Sequence, residues 1–413
     1  MALLSKQFRE KVGKMKDVRI KQEGGYDIAY PTGFDTIDFR NGSAYQGIKN
    51  GEPFTNYLLG FKDGSMNMIV GRSGCGKTTL AIQIAGNIAR MFPEAVIYHD
   101  DIENGSTFSR RKQLVGMSDE EMDEKYIYRN SGITIENIYQ RIKMIYETKM
   151  ENYDDLCYNT GFYDANGDEI IKLVPTVYII DSVASMTLEK YADVDEMMGQ
   201  MSGPATARAN KQLANMLLQI LKPANIIVIF INHINDNVSL DIVPPKSALT
   251  FLSNKETLPG GKGIVYLQDS LIYLYDNKKF NVDKDSKYNI DGTVVMANFL
   301  KSRNNKAGKA VPLIFDQEKG YDNELSILQY LNDSKLINGA GRGMYLGDDK
   351  ENKDAKFSNK TFKEKLHENE EFANLVMNTA VTSLSEMISY SDTGEEEKEK
   401  QQKFSAGLRS RLK

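Results

Sequence analysis

Gly71-Arg72-Ser73-Gly74-Cys75-Gly76-Lys77-Thr78 has the spacing G-x4-G-K-[ST], which suits a loop that cradles phosphate. Its glycines let backbone N–H groups converge on one anion, and a following helix adds the field of its N-terminus. Lys77 is expected to neutralise charge on β- and γ-phosphates, and Thr78 to ligate Mg2+. The expected cofactors are therefore ATP and Mg2+, held by residues 71–78 with Thr79 beside them.

Three further polar groups end apolar runs. Asp181 closes Val177-Tyr178-Ile179-Ile180, where a carboxylate can reach the magnesium through a water. Hydrolysis also needs a group to activate or position water near the γ-phosphate. The turn after Val96–Tyr98 offers Asp100, Asp101 and Glu103, and the chemistry alone leaves all three open. Asn232-His233 ends Ile226–Ile231, so an amide or an imidazole there can sense the γ-phosphate.

The elements that must hold these groups follow from periodicity. Met66–Val70, Val96–Tyr98, Val177–Ile180 and Ile226–Ile231 are too short for helices and lack polar alternation, as central parallel strands do. Helical stretches at Thr78–Met91, Ile135–Lys149 and Ala205–Leu221 separate them. The succession predicts a doubly wound α/β domain with a mainly parallel twisted sheet flanked by helices. Ser270–Tyr275, Val294–Leu300 and Val311–Phe315 read as strands added by hairpins at one end of that sheet. Asp164-Ala165-Asn166-Gly167-Asp168 is a turn signal, so residues 153–172 are expected to form a surface hairpin. No Glu follows at calcium-loop spacing.

Four segments result: 1–45, an N-terminal helical and oligomerisation segment; 46–325, the core; 326–390, a smaller helical C-terminal region; and 391–413, a charged tail expected to be disordered. Leu4, Phe8 and Val12 form one apolar stripe in the first of these, which fits a helix docking on its own domain or on a neighbouring subunit. Two cysteines among 413 residues exclude a disulfide framework and suit a reducing cytosol. The N-terminus does not read as a secretory signal, no apolar run would span a bilayer, and no membrane partner is expected. A net charge of -5 means that any nucleic-acid contact must come from local basic patches.

In its motif order the chain resembles the RecA family of homologous-recombination ATPases, especially the phage UvsX-like branch. Thr176-Val-Tyr-Ile-Ile-Asp181-Ser182 resembles the family's Walker-B strand, and Asp101-Ile-Glu103 its D-x-E segment, which makes Glu103 the catalytic carboxylate. Phe230-Ile-Asn232-His233 resembles the strand end that couples the γ-phosphate to a DNA loop, with His233 in the switch position. Pro259-Gly260-Gly261 resembles the glycine pair closing the second DNA loop. Lys301-Ser302-Arg303 resembles the cationic pair that reaches a neighbour's ATP. The likeness runs from about Pro31 to Met344.

The resemblance implies a RecA-like core and a DNA-dependent ATPase that forms helical filaments on single-stranded DNA. Homologous pairing and strand exchange with double-stranded DNA would follow, in a bacterial or phage-infected cytoplasm. Recombination mediators and single-strand-binding proteins are the implied partners. A first mobile loop would span Tyr191–Ala207, with Arg208 and Lys211 reaching phosphates. A second would span Ile234–Gly263, with Val238 as a wedge between bases and Lys246, Lys255 and Lys262 as its basic residues. Phe108 and Arg110 occupy the adenine region. The rival readings are a hexameric helicase or translocase on the same core, and an ATP-regulated scaffold without DNA.

Overall fold

Each short apolar run becomes a strand because both of its faces are covered. In the computed structural model, nine strands form the central sheet. In chain order they are β1 (Met66–Gly71), β2 (Val96–Asp101), β3 (Tyr126–Arg129), β4 (Thr176–Asp181) and β5 (Ile226–His233). β6 (Ser270–Phe280), β7 (Gly292–Ser302), β8 (Ala310–Asp316) and β9 (Gly320–Asp322) follow. The spatial order is β9-β8-β7-β6-β1-β5-β4-β2-β3. The run from β6 to β3 is parallel, and β7, β8 and β9 extend one edge as antiparallel hairpins. The protein is thus mixed α/β with a mostly parallel central sheet. The structure describes residues 26–192, 202–236, 249, 252–253, 256–280, 288–347 and 356–390.

Helices cover both faces, and strand alternation decides which residues meet them. Met66, Met68 and Val70 share a core with Ile138, Ile142 and Ile145 of a helix at Ile135–Glu151. Leu213, Leu217 and Leu221 of the helix Ser202–Ala224 join them. Ile69 points the other way, into a core with Leu80, Ile84 and Ile88 of α1 (Lys77–Arg90). A third core joins the helices Asn323–Asp333 and Glu370–Ser385 to Ile314 of β8. The segment end placed at 325/326 falls inside the first of those helices, and the one at 45/46 inside a strand at Ser43–Lys49.

One expectation is corrected. The helix Ser202–Ala224 starts before the expected end of the first loop at Ala207, so Gly203 is helical. Pro204 fits that first turn, where no intrahelical partner awaits its missing N–H. The 153–172 segment forms the expected hairpin, which a short helix, Tyr153–Leu156, precedes and which packs onto the rest of the chain. The Asn56 side chain donates to Tyr163 O at 2.7 Å and accepts from Tyr163 N at 2.9 Å. Lys172 pairs at 2.6 Å with Asp63, whose carboxylate is fully buried. The turn itself is as read: Asp164 Oδ1 accepts from the N–H groups of Asn166 and Asp168.

The stripe Leu4, Phe8 and Val12, most of the first loop, Val238, Lys246, Lys255 and the 391–413 tail lie outside the described residues. Among the described residues no helix is long and apolar enough to cross a membrane.

Candidate functional site

Four strand ends deliver the site to the carboxyl edge of the sheet. β1 runs into the glycine-rich loop, β4 ends in Asp181, β5 in His233, and Glu103 lies two residues past β2. A cleft of about 310 Å³ is lined by Ser73, Gly74, Gly76, Lys77, Thr78, Thr79, Glu103, Asp181, His233 and Phe315. Gly76 caps α1 with φ 80°, and a Cβ there would stand 2.7 Å from the Tyr321 hydroxyl. That hydroxyl donates to Cys75 O at 2.8 Å and braces the loop from β9. Lys77 Nζ donates to Arg72 O at 2.9 Å, so its ammonium lies within the curve of the loop. Free N–H groups at a helix start and a lysine inside the same turn form an anion cradle.

Thr78 Oγ1 donates to Asp181 Oδ2 at 2.5 Å. Burial pushes the Asp181 carboxyl up to about 7; the Thr78 hydroxyl opposes this, and the Glu103 and Asp101 carboxylates reinforce it. A buried carboxylate among other carboxylates is an environment that a cation relieves. Mg2+ is commonly held by one or two protein oxygens plus phosphate oxygens and water, and Thr78 with Asp181 fits that donor set. Among the described residues no group of three or more His, Cys, Asp and Glu could hold a metal ion without such help.

The three carboxylates after β2 separate by their partners. Asp100 is buried and is committed to structural partners, accepting from Arg141 Nη2 of the helix Ile135–Glu151 at 2.7 Å and from Tyr178 OH of β4 at 2.5 Å. Asp101 holds the following turn: it accepts from Gly105 N, from Ser106 N and Oγ, and from Tyr128 OH. Glu103 alone lines the cleft. Its Oε1 accepts from Ser182 Oγ at 2.5 Å and meets His233 Nε2 at 2.9 Å. Burial alone would raise the Glu103 carboxyl, but the Ser182 hydroxyl and the His233 imidazole outweigh it and hold it below its usual value. The carboxylate is therefore ionised at neutral pH, with one oxygen held.

Asp100 should accordingly matter for stability. Arg141→Met leaves a buried carboxylate without its cation, which should cost about 3–5 kcal/mol in urea unfolding. A loss below about 1 kcal/mol would mean that Asp100 does not depend on that pair.

His233 and the second loop are tied to this cleft. Ile234 N donates to Gly71 O at 3.1 Å, and buried Asn232 donates to Pro259 O at 2.9 Å. Gly260 and Gly261 have φ 84° and 89°, and a Cβ on Gly261 would come within 2.6 Å of Ala207 Cβ. The pair thus lets the loop end lie against the long helix at 202–224. Arg208 and Lys211 are exposed on that helix, and Lys262 opens the short helix Lys262–Leu267.

Two sets of expected residues lie apart from the cleft. Arg110 donates to the carbonyls of Gln317 and Glu318 in the β8–β9 turn and is not a lining residue, while Phe108 is exposed. Lys301 and Arg303 stand at the opposite edge of the sheet. Ser302 is level with Ser270, and Ser270 with Asn67, four residues below Gly71 or roughly 13 Å along the strand. Lys301 Nζ donates to Tyr266 O at 2.5 Å and Gln268 O at 2.7 Å. Burial, with Arg303 nearby, brings its ammonium down to about 8. Arg303 Nη1 lies 3.6 Å from Asp269 Oδ1.

Sequence reasoning missed Phe315, Ser182 and Tyr321 as parts of the site, and with them Asp236, whose carboxylate pairs with Arg72 of the loop. Ser182 had a signal in its place directly after Asp181; the others come from strands and loops distant in the chain. No family model matches the chain, and no curated protein matches it. The site therefore stands on its own geometry.

Proposed function

We propose that the chain is a DNA-dependent ATPase with a RecA-like core, which forms helical filaments on single-stranded DNA and catalyses homologous pairing and strand exchange. One observation carries the reading. The phosphate loop, Thr78, Asp181 and Glu103 share the carboxyl edge of the sheet, while Lys301 and Arg303 occupy its amino edge. A single chain cannot bring both sets to one nucleotide, but two copies in head-to-tail contact can. Such a contact, where it does not close, generates a helix.

In this reading the loop N–H groups and Lys77 bind the phosphates, and Thr78 and Asp181 hold the magnesium. ATP with Mg2+ supplies the phosphoanhydride and the charge on its outer oxygens. Glu103, held at Oε1 by Ser182 and His233, orients water and takes its proton. Lys301 and Arg303 of the adjoining copy stabilise charge on the transferring group. His233, one residue from Asn232 and its bond to Pro259, links the cleft to the end of the second loop. Arg208 and Lys211 supply phosphate contacts, so DNA affinity falls as salt rises.

The test is ATP turnover with and without single-stranded DNA, combined with electron microscopy. Stimulated turnover and open filaments are expected. Closed rings would favour the hexameric motor, and the absence of salt-dependent DNA binding would favour the scaffold.

A further inference from the structure

Arg72 occupies the first variable position of the phosphate loop, and its side chain is already engaged. Nη2 lies 2.6 Å from Asp236 Oδ1 and Nη1 3.4 Å from Oδ2, a two-pronged contact across 164 positions of sequence. Both side chains are more than half exposed. Asp236 is held in place from the far side. Asn235–Asp236 pairs antiparallel with Glu256–Thr257, and Glu256 Oε1 accepts from Tyr273 OH at 3.1 Å. Tyr273 is on β6 and Asp236 follows β5, and these two strands flank β1. The small ribbon therefore stands beside the mouth of the phosphate loop.

A guanidinium prefers a two-pronged oxyanion, and a carboxylate and a terminal phosphate offer the same geometry. Lys77 Nζ instead donates to a carbonyl, Arg72 O, and among the described residues it makes no two-pronged carboxylate pair. We propose that Arg72 distinguishes nucleoside triphosphate from diphosphate: Asp236 holds its guanidinium until a γ-phosphate takes it, which also releases the ribbon at 235–236. This inference rests on the reading of the cleft as a nucleotide site. It requires no bond making. The guanidinium exchanges one anionic partner for another, and Asp236 is left to water.

The contact is exposed, so its effect is bounded at about two- to fivefold in affinity. The experiment measures equilibrium binding of a non-hydrolysable ATP analogue and of ADP, each with Mg2+, to the full chain. Asp236→Asn removes the competitor and should tighten the analogue by that factor while leaving ADP unchanged. Arg72→Ala should weaken the analogue alone, and adding Asp236→Asn to Arg72→Ala should then change nothing. Equal shifts for both nucleotides, or no shift, would overturn the role of Arg72 and leave the nucleotide site standing. A wild type that binds neither nucleotide would remove the site itself.

Discussion

Glu103→Gln should yield a protein that still binds ATP and assembles on single-stranded DNA, yet turns over about 10²–10⁴-fold more slowly. Glutamine keeps the side-chain length and an oxygen to accept from Ser182, so the 2.5 Å contact with that hydroxyl can persist. What it loses is the basic oxygen. The expected factor corresponds to about 3–5 kcal/mol of transition-state stabilisation. The neighbours cannot substitute, since Asp100 is committed to Arg141 and Tyr178, and Asp101 to Ser106, Gly105 and Tyr128. Turnover near the wild-type rate would therefore move the base away from this turn altogether. Loss of nucleotide binding together with turnover would show instead that Glu103 supports the cleft.

The sequence carried the central sheet well because burial on both faces leaves a local signature. Ile226–Ile231 reads as a strand from its own six residues, and no distant contact is needed to say so. β3 left a weaker mark: Tyr126-Ile127-Tyr128-Arg129 is a short, partly exposed edge strand, and its three apolar residues do not by themselves separate a strand from a turn of helix. The glycine-rich loop was legible for a related reason, since its glycines and lysine lie within eight consecutive positions. Choosing among Asp100, Asp101 and Glu103 was not a local matter. Alternation along β2 and the turn after it send the three carboxylates to different surroundings, and their partners come from residues spread over 105–233. Tyr321 and Asp236 were invisible for the same cause. Each reaches the loop from more than 150 positions away, and nothing in its own neighbourhood marks it.

Replacing Lys301 and Arg303 together by Ala should abolish DNA-stimulated turnover while ATP binding to the isolated chain survives. The pair lies on the amino edge and Lys301 is seated on the carbonyls of Tyr266 and Gln268, well away from the cleft of its own chain. Its loss should therefore be felt at the next copy. This makes a mixing experiment decisive. The double-alanine chain retains an intact phosphate loop and Glu103, whereas the Glu103→Gln chain retains Lys301 and Arg303. Each is inactive alone. Where the first presents its cleft to the amino edge of the second, every required side chain is present. In a random head-to-tail assembly of equal parts, about a quarter of the contacts have that arrangement. Turnover should return to about that fraction of the wild-type rate, peak at equal mixing and fall away on either side. A site completed within one chain gives no recovery at any ratio, because neither protein then contains a whole site.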